Sequence, residues 1–229
     1  MSRIIQLKNN KAPDEHGITS EHIKYASSST IDILVTIINQ VIQQRYIPDE
    51  FKIGLINPVH KKTKPIKSPN SYRRITITNL IGKILEKHVL KPLKTILGPS
   101  KNFLQRGFTE NSSSRNTALL LTEALAEARD KKETLYLTYL DVSKAFDIVW
   151  HNGLFVKLYD RGIKGNLWSL LANWYNGLSA KVKWQSQISR TLMEKQGVRQ
   201  GGILSAEQYK AYINPLMERI QRYNLGYHI

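Results

Sequence analysis

The sequence contains no cysteine and no long hydrophobic run, and acidic residues are scarce. Without cysteine the chain can form neither a disulfide framework nor a thiolate zinc site, which fits a reducing compartment. No stretch approaches the roughly 18 apolar residues of a membrane-spanning helix, and the N-terminal MSRIIQLKNNKAP has no apolar core of signal-peptide length. We therefore expect a globular intracellular protein, located in the nucleus or the cytoplasm.

Basic residues outnumber acidic ones in the whole chain. The chain has 34 Lys and Arg against 18 Asp and Glu, a formal net charge of +16, and the cations are spread along most of its length. Because each neutralised phosphate releases condensed counterions, this balance favours a nucleic-acid partner. Composition alone also fits a basic structural component of a ribonucleoprotein. A membrane surface is less favoured, since no long basic amphipathic helix has an aromatic face.

Helical and strand patterns are mixed along the chain, which predicts an α+β fold. Residues 51–59 and 72–78 read as two strands of a hairpin, joined by a polar, basic loop, and 180–185 as a half-exposed strand. The segment LYLTYLD (135–141) favours strand on both faces, which predicts a central strand covered on both sides. Helices are predicted over the following ranges: 19–26, 30–45, 79–97, 114–129, 152–161, 165–176 and 205–222.

Asp141 closes the predicted central strand. A buried ionised aspartate is costly unless it is paired or holds a cation, so its position raises the question of a metal site. From the residues alone, a structural role in capping the following turn is favoured over catalysis, because perturbed carboxylates are often structural.

Four separated stretches occur in a recognisable order: NKAPDEHGITSEHIK (10–24), LINPVHKK with SYRRITITNLIGKILEK (55–62 and 71–87), FLQRGFTENSSSRNTAL (103–119), and LDVSKAFDIVWH followed by GVRQGGILS (140–151 and 197–205). In this order and spacing the sequence resembles the reverse transcriptase domain of non-LTR (LINE-like) retrotransposons, over almost the whole chain. The resemblance implies a right-hand polymerase with a small antiparallel sheet: one domain over 1–229, with fingers at about 1–130 and a partial palm at about 131–229.

The resemblance also implies a reaction and a site. The family transfers a nucleotide from a dNTP to the 3′ hydroxyl of a DNA primer on an RNA template, using two Mg²⁺ ions. Asp141 matches the family's first catalytic aspartate, and the backbone carbonyl of Val142 matches a second metal ligand. Phe146 matches the aromatic residue that excludes a 2′ hydroxyl, although an ordinary core phenylalanine is the alternative. Asp147 lies past the turn and is expected to make a structural hydrogen bond or a cap rather than to bind metal.

Four cations of the predicted hairpin are candidates for contacting the triphosphate. Arg73 matches the family's phosphate-binding arginine, with Lys61 or Lys62 assisting and Lys61 favoured. Arg74 stands where the family commonly has proline, so either arginine could reach the phosphates. A charged loop can also be ordinary solvated surface.

Two further groups are implied to contact nucleic acid or substrate. Gln200 and Gly201 match a pair that packs against the nascent base pair, where glycine allows a close backbone approach. A template-gripping stretch is matched by these residues: Gln105, Arg106, Gly107, Phe108 and Arg115. For that stretch a loop with a buried Phe108 is the structural alternative.

One family element is absent from the 229 residues. Relatives carry the other two catalytic carboxylates in an aromatic-X-Asp-Asp turn, and the sequence has no Asp-Asp pair. We therefore expect a C-terminally incomplete domain that holds no Mg²⁺ firmly and is inactive by itself. A non-catalytic, basic nucleic-acid-binding remnant is the main alternative. A structural protein unrelated to polymerases is a third, in which Asp141 would not face a basic cleft.

Overall fold

The computed structural model describes residues 7–223, which form a mixed α and β structure. The helices are α1 Ser20–Lys24, α2 Ser28–Gln44, α3 Asp49–Lys52, α4 Leu80–Leu97, α5 Ser114–Asp130, α6 His151–Asp160, α7 Gly165–Tyr175 and α8 Ser205–Arg222. The strands are β1 Ile53–His60, β2 Tyr72–Thr78, β3 Ser179–Trp184, β4 Gln187–Ile188 and β5 Leu192–Met193. Within this described part, no helix is both long and apolar enough to cross a membrane.

The sheet joins the predicted hairpin to the later part of the chain. β1 and β2 pair antiparallel, with Gly54 opposite Thr78 and His60 opposite Tyr72. β1 also runs parallel to β3, whose other edge pairs antiparallel with β4 and β5. The hairpin and the α+β class predicted from the sequence are confirmed, and the sheet is mostly antiparallel with one parallel pair.

The main core lies among α4, α6, α7 and α8. Leu85 and Leu93 of α4, Leu154 and Leu158 of α6, and Leu171 of α7 are all buried there. These leucines recur at helical spacing, so each helix turns one apolar stripe inward. The start of α4 is fixed by Asn79, whose side chain accepts the amides of Ile81 at 2.9 Å and Gly82 at 3.1 Å.

The predicted central strand over 135–141 is wrong for this structure. Residues 133–142 form neither helix nor strand, and the side chains of Tyr136, Tyr139 and Leu140 are 88%, 79% and 81% exposed. Strand propensity is realised only where a segment pairs with a neighbour and packs its side chains. Among the residues described, the five strands pair with one another and this segment joins none of them.

Candidate active site

The loop between β5 and α8 connects several parts of the site; we call residues 197–204 the glutamine loop. The amides of Gly197 and Val198 donate to the carbonyls of Val149 at 2.7 Å and Phe146 at 2.8 Å. On its other side, the carbonyl of Gln200 accepts the Thr76 amide of β2 at 2.7 Å. The loop therefore bridges the turn that carries Phe146 and the free edge of the basic hairpin.

Gly201 can occupy its position only because it lacks a side chain. Its φ is +112°, and a Cβ atom there would lie 2.7 Å from the carbonyl oxygen of Thr76. The family resemblance implies a close approach of this backbone to the nascent base pair, and that role stays a prediction. The group approached in the structure is the backbone of β2.

The side chain of Gln200 is tied to the same turn as the loop backbone. Its Nε2 donates to Oδ1 of Asp147 at 3.2 Å, so Asp147 makes a structural hydrogen bond as the sequence predicts. A cavity of about 20 Å³ lies beside this bond, lined in part by Arg74 and Glu194. The side chain of Gln200 is thus bonded to the residue that directly follows Phe146.

Phe146 lies in a cluster of three aromatic rings. It stacks on Tyr209 of α8, with centroids 5.0 Å apart and planes 15° from parallel, and meets the edge of Phe108 at 5.7 Å. Phe108 is 63% exposed, so the alternative of a loop with a buried Phe108 is wrong. The structure brings together the predicted sugar-reading residue and the predicted template loop, and adds Tyr209, which the sequence did not single out.

Asp141 and Val142 lie in the irregular segment 133–142, and both are exposed. The expectation of a buried aspartate is therefore wrong, because no strand carries the residue into the interior. Burial raises the pKa of the Tyr209 hydroxyl, and the charge of Asp141 raises it further, which places this carboxylate near the aromatic cluster.

A magnesium site is only partly supplied by these residues. Mg²⁺ takes oxygen ligands, often one or two carboxylates completed by water and substrate phosphates. Asp141 and the carbonyl of Val142 are donors of that kind for one ion. Between residues 7 and 223, however, no three His, Cys, Asp or Glu side chains are grouped to hold a metal. The donors present fit one Mg²⁺ with substrate and do not fit two.

The two arginines of β2 point to opposite faces of the strand, as consecutive strand residues do. Arg74 lies with one Nη atom 3.8 Å from a carboxylate oxygen of Glu194, whereas Arg73 is exposed on the other face. Glu194 also accepts a hydrogen bond from the buried Arg199 at 2.9 Å. Arg74 is therefore part of a local ion-pair network, and the two arginines cannot serve one ligand from the same face.

The lysines of the hairpin belong to its outer loop. The Nζ of Lys61 donates to the carbonyl of Asn70 at 3.0 Å, and the backbone amide of Lys61 donates to the carbonyl of Ser71 at 2.8 Å. Lys62 is exposed. At about 3.3 Å per strand residue, Ser71 lies roughly 16 Å along the chain from Thr76. The structure therefore places Lys61 well away from the glutamine loop.

Four of the predicted template residues lie in the loop before α5, and the fifth, Arg115, lies in the first turn of that helix. Arg106, Gly107 and Arg115 are exposed, and the carbonyl of half-buried Gln105 accepts the Thr109 hydroxyl at 2.8 Å. A cavity of about 220 Å³ opens among the loop residues, with Arg106 and Gln105 in its lining. The loop therefore presents cations to solvent, as a phosphate-binding surface requires.

Sequence reasoning missed Arg199, the residue directly before Gln200. Arg199 is 8% exposed, and its Nη2 donates to the carbonyls of Ser179, at 2.6 Å, and of Lys52. Those carbonyls lie where the parallel strands β1 and β3 begin, so the guanidinium fixes the glutamine loop to the sheet. No spacing in the sequence signals such a contact, because its partners are 20 and 147 residues away.

Two carboxylates that support α4 were also missed. Asp14 accepts the amides of His16 and Ile18 at 3.0 Å through Oδ1, and the Leu80 amide at 3.0 Å through Oδ2. Glu86 accepts the Ile203 amide of the glutamine loop at 2.7 Å. Glu86 had a detectable signal, since it interrupts the apolar stripe of α4 and a buried charge needs a partner.

Comparisons with known proteins agree on one family. The sequence model of the reverse transcriptase (RNA-dependent DNA polymerase) family matches residues 59–229. A probable RNA-directed DNA polymerase from transposon X-element of Drosophila melanogaster is 29% identical over 214 residues, covering 91% of this chain and 23% of the relative.

Other relatives from the same organism give a similar picture. A probable RNA-directed DNA polymerase from transposon BS is 26% identical, covering 88% of this chain and 22% of the relative. The RNA-directed DNA polymerase from mobile element jockey is 26% identical, covering 93% of this chain and 23% of the relative. The chain thus spans less than a quarter of the length of these relatives.

Proposed function

Because the chain belongs to the reverse transcriptase (RNA-dependent DNA polymerase) family, we propose that it supplies the fingers and part of the palm of a non-LTR retrotransposon polymerase. The reaction is transfer of a deoxynucleotide from a dNTP to the 3′ hydroxyl of a DNA primer, directed by an RNA template. Intracellular localisation stays a prediction of the sequence.

One observation supports this function most strongly: the glutamine loop bonds to two segments that are distant from it and from each other along the chain. Its bonds to Thr76, Phe146 and Val149 bring the β2 edge and the Phe146 turn to a common point. The loop carries Gln200, the turn carries Phe146, and β2 carries Arg73 on the strand face away from Arg74 and Glu194. The family resemblance implies that each of these residues contacts the incoming nucleotide.

Each of these side chains then has a task that its chemistry suits. Arg73, exposed on the face of β2 away from Glu194, binds the triphosphate with its planar guanidinium. Phe146, backed by Tyr209, packs against the sugar and leaves no room for a 2′ hydroxyl. Gln200 and Gly201 form the surface on which the nascent base pair rests. Lys61 and Lys62 assist with phosphate from the hairpin loop.

Nucleic acid is held by a different part of the surface. Gln105, Arg106, Gly107 and Arg115 lie in or beside the loop that opens onto the 220 Å³ cavity, and Phe108 connects that loop to Phe146. With a net charge of +16, binding to an RNA template and DNA primer should weaken steeply as salt rises.

Asp141, with the Val142 carbonyl, contributes to magnesium binding together with substrate phosphates. When bound, Mg²⁺ lowers the pKa of the attacking hydroxyl and stabilises charge on the transferring phosphate. Two divalent ions about 4 Å apart repel each other by roughly 15–20 kcal/mol at an effective dielectric near 20, which one carboxylate offsets poorly. The residues described supply a single candidate carboxylate, so the 229-residue chain should bind substrates without turning them over.

The function is tested by nucleotide binding to the chain with an RNA template, DNA primer duplex and Mg²⁺. We expect a dNTP to bind at least ten times more tightly than the matching rNTP, with the preference lost in Phe146→Ala. Asp141→Asn should weaken the Mg²⁺ dependence, while the exposed control Asp32→Asn should not. Equal binding of both nucleotides by the unaltered chain would contradict the proposal.

A non-catalytic nucleic-acid-binding role is the second candidate, favoured by the exposed, irregular setting of Asp141. It predicts that the duplex binds with a steep salt dependence while neither nucleotide binds. Primer extension with Mg²⁺ distinguishes both candidates from an active enzyme. Incorporation that Asp141→Ala abolishes would show that the chain needs no further carboxylate.

A further inference from the structure

Glu86 is a carboxylate on a helix face whose other buried residues are nonpolar. It lies on the buried face of α4 between Leu85 and Val89 and is 7% exposed. Burial raises the pKa of Glu86 to about 7, against opposing effects of the Ile203 amide, Arg199 and Lys83. A buried group with this energetic cost is expected to have a specific partner.

The partner of Glu86 is the glutamine loop, far away along the chain. Its Oε2 accepts the Ile203 amide at 2.7 Å, across 117 residues of sequence. Charged and titratable groups face it from three directions: Lys83 from α4 itself, Arg199 from the loop, and Tyr175 from α7. A cavity of about 20 Å³, the size of a single water, lies beside the carboxylate.

The bond to Glu86 is one of two that hold the Gln200 turn from opposite ends. Before the turn, the Gln200 carbonyl accepts the Thr76 amide of β2; after it, the Ile203 amide donates to Glu86 of α4. Between them lies Gly201, which has a φ of +112°. Its backbone lies so close to β2 that a Cβ atom would be 2.7 Å from the carbonyl oxygen of Thr76. Only Asn79 separates β2 from α4, so both anchors belong to one continuous stretch of chain.

We propose that Glu86 is a positioning residue for nucleotide binding: by accepting the Ile203 amide it holds the Gln200 and Gly201 turn against β2. This inference rests on the proposed function, because it assigns the turn to the nucleotide. Glu86 itself is buried behind the loop and acts through Ile203.

The role of the bond can be separated from the role of the charge. Gln in place of Glu86 keeps a carbonyl oxygen that can accept the Ile203 amide, whereas Ala or Leu leaves a buried donor unpaired. Leu also preserves most of the side-chain volume, so it removes the acceptor without a large cavity. The matched control is Glu123→Ala, which removes an exposed carboxylate from α5.

The experiment measures two quantities on the same set of chains. Amide hydrogen exchange at Thr76 and Ile203 reports the position of the turn, and exchange in α6 reports global unfolding. Binding of a Mg²⁺-bound dNTP, with the RNA template and DNA primer present, reports whether the position of the turn affects nucleotide affinity. We expect Glu86→Ala and Glu86→Leu to speed exchange at both amides at least tenfold, with α6 unchanged, and to weaken dNTP binding at least tenfold. Glu86→Gln should lose no more than threefold in protection at the two amides or in dNTP affinity, because its carbonyl oxygen still accepts the Ile203 amide. Glu123→Ala should stay within threefold of the unaltered chain.

Two results would overturn the inference: unchanged exchange at Thr76 and Ile203 in Glu86→Leu, or a Glu86→Gln chain that behaves like Glu86→Leu. If Glu86→Ala does not fold, Glu86→Leu decides. If the unaltered chain binds no dNTP, the proposed function fails at this site. Exchange then still decides whether Glu86 holds the turn, because that measurement needs no ligand.

Discussion

The glutamine loop and the segment 133–142 carry the two halves of the candidate site and differ in almost every physical respect. The loop is fixed by backbone bonds to β2 and to the Phe146 turn, and by the buried side chains of Arg199 and Glu86. The segment that carries Asp141 lies exposed, outside every helix and strand. The part of the candidate site assigned to the nucleotide is therefore held by bonds within this chain, whereas the carboxylate of Asp141 lies in a segment that no helix or strand holds.

The largest expected effect comes from Gly201→Ala. The new Cβ would meet the Thr76 carbonyl oxygen at 2.7 Å in a backbone conformation that alanine resists, so the free energy of unfolding should fall by about 3–4 kcal/mol. Gly17→Ala is the matched control, because Gly17 also has a positive φ, +77°, but open space around it. It should cost about 1 kcal/mol in urea denaturation. Equal costs would mean that the loop is not pressed against β2.

The next effect concerns pH and the same loop. The pKa of Glu86 is raised from 4.5 to about 7, so the folded chain binds this proton more tightly than the unfolded chain. Its contribution to stability is therefore present below about pH 4.5 and is lost as pH rises through 7. Glu86→Gln avoids that loss and should be more stable than the unaltered chain at pH 8 by up to about 3 kcal/mol. A stability difference independent of pH between 4.5 and 8 would contradict the assignment.

A smaller effect is expected from the aromatic cluster that joins the two regions. Tyr209→Leu removes the ring stacked on Phe146 while keeping an apolar side chain. The aromatic pair is worth about 1 kcal/mol, so stability should fall by roughly that amount. Discrimination between dNTP and rNTP should fall with it, because Phe146 loses its support. Unchanged discrimination would show that Phe146 is positioned by the loop bonds alone.

The smallest effect belongs to the exposed segment. Tyr139→Ser removes a side chain that is 79% exposed, so the free energy of unfolding should change by less than about 0.5 kcal/mol. Thermal denaturation of this variant beside Gly201→Ala measures the contrast between the regions directly. A loss of 2 kcal/mol or more at Tyr139 would mean that the segment is packed.

Local patterns predicted the parts of the fold that depend on local physics. The alternation of the hairpin strands and the apolar stripe of α7, with Leu170, Leu171 and Trp174 buried, were visible in the sequence. The strand predicted over 135–141 does not form, and its absence could not be read from the sequence, since pairing depends on a partner that no local pattern contains.

The candidate site shows the same difference between features that depend on local sequence and features that depend on long-range contacts. The family resemblance assigned roles to Phe146 and Gln200, which stay predictions. The position of Asp147 after the turn suggested a structural hydrogen bond, which the structure confirms. Glu86 and Arg199 escaped notice because their contacts span 117 and 147 residues. Only the folded chain brings such partners together.

The contrast between the two regions is tested most directly by amide hydrogen exchange of the unliganded chain. We predict slow exchange at Thr76, Val198 and Ile203, whose amides are bonded within the site, and exchange close to the unprotected rate over residues 134–142. Comparable protection of residues 134–142 and the glutamine loop would contradict the account, because the carboxylate would then be held as firmly as the nucleotide-facing loop.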